Sequence, residues 1–221
     1  MPTLLTPLLK VDKTPGWISS GGGTFSGSSS NVTALATIVV PQQGAMVVGV
    51  IAQHGNWIPT LSSKSLVSDQ GSVFTELADV RRGIPGQDNG HVILYYCQDP
   101  VLGTHNLTAN VTASQALSIV CLANFYKNIV GYRSLTTQTS GGSGAAVNLG
   151  IASNAGNIPV MALSADPLPA GRNWTTRAAE TTQGYRTTGD LPITAVTGTA
   201  SFTSTSTNHQ VAAAGIDLIA A

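Results

Sequence analysis

From Asn31 to the end of the chain, short runs of β-branched and apolar residues alternate with clusters of Gly, Pro, Asn and Asp. The clearest runs are 32–40, 45–52, 72–77, 91–97, 104–112, 116–126, 145–151, 158–163, 174–179, 193–202 and 210–219. Short strands at this spacing, bounded by turn residues, predict an all-β sandwich or barrel. Along His105–Val111 the pattern has period two: Leu107, Ala109 and Val111 face one way and Asn106, Thr108 and Asn110 the other, as on a strand with one wet face. Met46–Ala52 and Ile93–Cys97 are apolar at nearly every position, which predicts central strands covered on both faces.

Turn chemistry suggests how the runs connect. Pro41-Gln-Gln-Gly44 predicts a hairpin between Val32–Val40 and Met46–Ala52, and Asp99-Pro-Val-Leu-Gly103 predicts another between the runs on either side of it. Ser140-Gly-Gly-Ser-Gly144 reads as a loop. Ala212–Ile219 has the length of a short helix, but the alternation of TASFTSTST before it favours a returning strand.

Residues 1–30 carry a different pattern. Leu4, Leu5, Leu8, Leu9 and Val11 form an apolar cluster interrupted by Pro2, Pro7 and Pro15, which rules out a continuous helix with its interior bonds intact. After Trp17 comes SSGGGTFSGSSS, with the composition of a flexible connector. The sequence therefore predicts an extended arm at 1–30 and a β-sandwich domain at 31–221. The arm's Leu4, Leu5, Leu8, Leu9, Val11 and Trp17 are the candidate partner-docking residues, because extended apolar segments bind by strand addition or groove filling.

Charge narrows the function classes. Only 9% of the 221 residues are charged, with 10 basic against 10 acidic side chains, where soluble domains average about 25%. Nucleic-acid backbones demand clustered Lys and Arg, and Arg81–Arg82 is the sole basic pair of neighbours; nucleic acid is not an expected partner. No window approaches the roughly 18 consecutive apolar residues of a membrane helix, and the first residues lack the basic start and unbroken apolar stretch of a secretory signal. Synthesis in the cytoplasm is the expectation, with no membrane association. Cys97 and Cys121 lie in apolar runs without metal-ligand spacing and read as buried free thiols.

Catalytic chemistry finds little support. The chain has two glutamates, Glu76 and Glu180, and eight aspartates, of which Asp69, Asp88, Asp99, Asp166 and Asp190 read as turn formers. His54, His91, His105 and His209 show no metal-binding spacing. No G-x-S-x-G or phosphate-loop motif occurs. Neither catalytic residues, nor a metal, nor a cofactor is expected. The N-x-T triplets at Asn31, Asn106, Asn110 and Asn173 read as surface strand positions. Trp57, Tyr132 and Trp174 fall in loops or at strand starts, where an aromatic ring either stacks on a sugar or plugs the end of a sandwich; they are the candidate glycan contacts.

The order of segments GAMVVGVIAQHGN, SLVSDQGSVFTELADV, HVILYYCQDPVLGTHNLTANV and ASQALSIVCLANFYKNI resembles a β-sandwich module of tailed-bacteriophage virion proteins, of the minor tail or virion-surface type. The resemblance spans about residues 44–130 and is interrupted by GNWIPTLS at 55–62. It implies a single β-sandwich of jelly-roll type. It also implies a non-enzymatic, structural protein of the virion, docked through its arm to tail or capsid subunits, with homo-oligomerisation expected. Capsid decoration and attachment to a host surface glycan are the alternative roles.

Overall fold

The computed structural model describes residues 12–54, 60–82, 89–140, 145–166, 169–181, 185–205 and 210–221. Thirteen strands follow one another among these residues: β1 (Gly16–Val40), β2 (Gly44–His54), β3 (Leu61–Ser68), β4 (Thr75–Arg82), β5 (Asn89–Gln98), β6 (Gly103–Lys127), β7 (Ile129–Thr139), β8 (Asn148–Ser153), β9 (Ile158–Asp166), β10 (Thr175–Glu180), β11 (Tyr185–Asp190), β12 (Gly198–Thr203) and β13 (Gln210–Ala220). The all-β class expected from the sequence is the class observed, and residues 210–220 form the returning strand rather than a helix.

Two strands of 25 residues, β1 and β6, organise the molecule. They pair antiparallel along their whole length, from Gly16 opposite Lys127 to Val40 opposite Gly103, with register shifts around Ser29. There the ribbon folds back on itself. Ser19 Oγ donates to the Val39 carbonyl at 2.7 Å. A Cβ on Gly21 would lie 1.9 Å from the Thr37 carbonyl oxygen, and one on Gly23 2.1 Å from that of Leu35. Each of these pairs is centred on Ser29, so the two halves of one strand lie backbone against backbone. Only glycine permits that approach.

The fold-back places the halves of β6 in different environments, and its sequence reflects this. Residues 104–113 alternate between buried and more exposed positions, whereas 117–126 are buried without interruption. The first half belongs to an outer layer with β1 residues 31–40 and β3. The second half lies inside a central layer ordered β1-β6-β2-β5-β4. A third layer, β10-β11-β9-β13-β7, covers the central one, and a β8-β12 ribbon covers the third.

Three apolar cores fill the gaps, and period-two alternation assigns side chains to them. On β2, Met46, Val48, Val50 and Ala52 enter the first core while Ala45, Val47 and Ile51 enter the second. On β9, Val160 and Ala162 enter the second while Met161, Leu163 and Ala165 enter the third. Each large aliphatic side chain buried this way contributes about 1.5–3 kcal/mol. Cys97 and Cys121 are buried free thiols, and burial pushes them up to about 11 and about 12 respectively.

Several expectations need correction. The Gly/Ser stretch is no connector: residues 16–30 are paired strand, and the boundary expected near Ser30 falls inside β1. Neither predicted hairpin forms, because β6 lies between β1 and β2 and β2 lies between β5 and β6. Leu4, Leu5, Leu8, Leu9 and Val11 lie outside the described residues.

Candidate functional site

At the pole where β1, β2 and β9 begin and β6 and β11 end, the edges of the central and third layers meet around Trp17. Register places Trp17 opposite Tyr126 of β6. On β10 a bulge between Thr176 and Ala178 sets Arg177 out of the ladder, and a bulge of this kind redirects a side chain. The Arg177 guanidinium carbon sits 4.6 Å from the centroid of the Trp17 ring, and its Nε donates to Asp190 Oδ2 at 2.7 Å. Asp190 is 4% exposed and Arg177 25%. Beside them is a cleft of about 360 Å³ lined by Trp17, Ile158, Thr175, Asp190, Pro192 and Ile193. Burial, and next the Asp190 charge, hold the Tyr126 hydroxyl well above its ordinary pKa. An aromatic face, a cation and an anion at one cleft can order a polar ligand or a neighbouring backbone.

The predicted aromatic contacts are scattered. Trp17 sits on β1 instead of a free arm, 38% exposed. Tyr132 lies on β7, at the far edge of the third layer, with its ring 4.7 Å from that of Tyr96. Trp174 is 5% exposed and packs in the third core, 6.3 Å from the Phe202 ring; it is a core plug, and its expected role as a glycan contact is withdrawn. Trp57 lies outside the described residues. Among the described residues, Tyr132 and Trp174 share no common sugar platform: one stands at the edge of the third layer and the other inside the third core.

The opposite pole gathers charge inside the protein. Arg186 of β11, 1% exposed, donates to Glu180 Oε2 at 3.0 Å and to Ser118 Oγ at 3.2 Å, and also reaches Gln53 Oε1 at 2.5 Å. Burial lowers its pKa while the Glu180 charge opposes that shift. Nearby on β4, Arg82 donates to the Gln210 side chain at 3.2 Å. His91 Nδ1 is 3.3 Å from Asp79 Oδ1, and Lys64 bridges Glu76 at 2.7 Å and Asp79 at 2.5 Å. Arg186 and Arg82 tie the third layer to the central one, and Lys64 ties β3 to β4.

Sequence reading assigned Asp190 to a turn and missed Arg177, Arg186 and Glu180 as a group. Asp190 instead ends β11, opposite Thr175. The one available signal was scarcity: where 9% of residues are charged, an Arg or Glu inside a β-rich run marks a specific partner.

The outer face of the first layer is different again. Its outward positions are Asn31, Thr33, Leu35, Thr37 and Val39 on β1, Ser63, Ser65 and Val67 on β3, and Thr104, Asn106, Thr108, Asn110 and Thr112 on β6. None is charged. Cross-strand bonds order them: Thr33 Oγ1 donates to Asn110 Oδ1 at 2.7 Å, Thr37 Oγ1 to Asn106 Oδ1 at 3.0 Å and Thr112 Oγ1 to Asn31 Oδ1 at 3.3 Å. Leu35 is 62% exposed in their midst. Three of the N-x-T asparagines are thus members of one ladder.

No family model, curated protein or solved structure matches this chain.

Proposed function

We propose that this protein is a non-catalytic structural subunit of a tailed-bacteriophage particle, packed against other subunits on the tail or the head surface. The observation that carries this reading is the uncharged outer face of β1, β6 and β3, where hydroxyl and amide groups already bond one another and Leu35 and Val39 stand exposed between them. Away from Asp69 at its rim, such a face meets another subunit without stranding a charge, which is costly in a buried interface. The segment order at 44–130 supplies the phage context, and the low charge of the whole chain fits close packing. On this reading the stacked cores and buried ion pairs make a stiff block, and recognition lies on its faces and edges.

The test is gold-labelled antibody electron microscopy of purified phage particles, with serum raised against the full-length chain. Label along the tail, at its tip or over the head is the expected result. Absence of the chain from purified particles by both labelling and mass spectrometry contradicts the reading.

A further inference from the structure

We propose that the cleft at Trp17, Arg177 and Asp190 binds a neutral saccharide, with a sugar ring against the Trp17 indole and its hydroxyls on the Arg177–Asp190 pair. Among the described residues the cleft shares none with the outer face of β1, β6 and β3, so this site goes beyond the assembly role.

The polar groups select the chemistry. Arg177 and Asp190 line one cleft as a bonded pair, with Nε donating to Oδ2 at 2.7 Å. A guanidinium keeps further N–H donors and a carboxylate accepts at both oxygens, and the terminal nitrogens of Arg177 bond nothing else among the described residues. Donors and an acceptor therefore stand side by side. Neighbouring sugar hydroxyls match that arrangement, because each both donates and accepts. Among the described residues lining the cleft these two carry the charge, and they balance. Beyond Gly16 the next charges, Lys127 and Asp12, are paired with each other. An anion would gain from Arg177 and be opposed by Asp190, a cation the reverse. A neutral ligand meets no such conflict.

The apolar half is equally defined. The Arg177 guanidinium holds the indole in place from 4.6 Å, yet Trp17 stays 38% exposed. Ile158, Pro192 and Ile193 complete the wall. The C–H face of a pyranose packs on such a surface while its hydroxyls reach the polar pair, as amphipathic rings do elsewhere. Both halves are already in position, which lowers the ordering cost of binding. At about 360 Å³ the cleft lies at the lower end of the roughly 300–1,000 Å³ of small-molecule sites, which suits a short saccharide.

The same geometry works against a peptide added as a strand. The bulge between Thr176 and Ala178 that turns Arg177 out of the ladder also breaks the pairing edge of β10, and bulges protect edges from added strands.

The experiment titrates the full-length protein with maltotriose, cellotriose, mannotriose and tri-N-acetylchitotriose by saturation-transfer NMR and calorimetry. Trigalacturonate, charged on every ring, and a neutral Ser/Thr/Ala hexapeptide are the controls. At least one neutral trisaccharide is expected to bind with a Kd on the order of 1 mM. Trp17→Ala removes the ring, and Thr175→Trp fills the cleft from an exposed lining position; each is expected to weaken binding about tenfold or more. Thr175→Trp should keep the parent's urea midpoint, so its loss of binding reads the site and not the fold. Failure of all four neutral sugars to bind, binding undiminished in Thr175→Trp, tighter binding of trigalacturonate, or binding of the hexapeptide in place of the sugars overturns the proposal. None of these outcomes alters incorporation into particles, which tests the assembly role separately.

Discussion

Ser19 and Val39 belong to one strand, yet the Ser19 hydroxyl donates to the Val39 carbonyl at 2.7 Å across two layers of the sandwich. The contact exists because β1 and β6 turn back together around Ser29, and Gly21 and Gly23 let the halves of β1 touch. Gly21→Ala places a methyl 1.9 Å from the Thr37 oxygen, and backbone cannot yield as a side-chain tip does. It is expected to destabilise by about 3 kcal/mol, read as a lower urea midpoint. Gly198→Ala, with nothing within 4 Å of its new Cβ, is expected to stay within about 1 kcal/mol of the parent, on the stabilising side.

Arg177 joins β10 to the Trp17 ring and to the 4%-exposed Asp190. Arg177→Ala leaves that carboxylate without its guanidinium partner and is expected to cost about 1–3 kcal/mol, less than for a fully buried pair because Arg177 is partly hydrated. Arg177→Lys keeps the charge but loses the flat face over the indole, and its midpoint should fall between the two. Equal midpoints for Ala and Lys would remove the stacking from the account.

At the other pole, Glu180 and Arg186 are buried side by side at 3.0 Å. Glu180→Leu alone is expected to cost about 3 kcal/mol by leaving a buried cation, while Glu180→Leu with Arg186→Met should recover much of that loss. A double-mutant cycle in denaturant reads the coupling directly. Additive losses would mean that the two side chains act independently.

Asp79 sits between His91 and Lys64, which bring its pKa down to about 2, with the His91 hydrogen bond the largest lowering influence. An unfolded Asp titrates near about 3.9, so between those values the unfolded chain binds the extra proton and stability rises with pH. The contribution is present above about pH 4 and lost as pH falls through about 2. Acid unfolding of Asp79→Asn should show a shallower pH slope across that window, and an unchanged slope would assign the acid sensitivity to other carboxylates.

Much of the fold was legible in the chain. The alternation of 105–111 reported a strand with one wet face, and the apolar runs 46–52 and 93–97 reported strands covered on both faces; the first is found on β6 and the others on β2 and β5. What the pattern did not reveal was that one strand spans both environments, because the bend at 114–116 reads as a break between two runs. Tyr185–Asp190 escaped notice as a strand because YRTTGD has the composition of a turn, yet all six residues are buried between β10 and β9; Tyr185, Thr187 and Asp190 bond to β10 within the layer, and Arg186 reaches Gln53 and Ser118 of the central layer. Strand order was hidden for a different reason: turn chemistry reports a reversal of direction but not the neighbour the returning strand takes. The polar sites were similarly obscure, since Trp17, Arg177 and Asp190 are brought together only by the packing of two sheets.

The central claim is that the uncharged face of β1, β6 and β3 is buried against another subunit in the particle. Leu35→Asp and Val39→Lys each put a charge at an exposed outward position without touching a core or a cross-strand hydrogen bond, so the isolated protein should unfold at the parent's urea midpoint. The most direct measurement is the amount of each variant incorporated into purified particles, by quantitative mass spectrometry. The account predicts loss of incorporation for both variants at unchanged stability; incorporation at the parent level would contradict it.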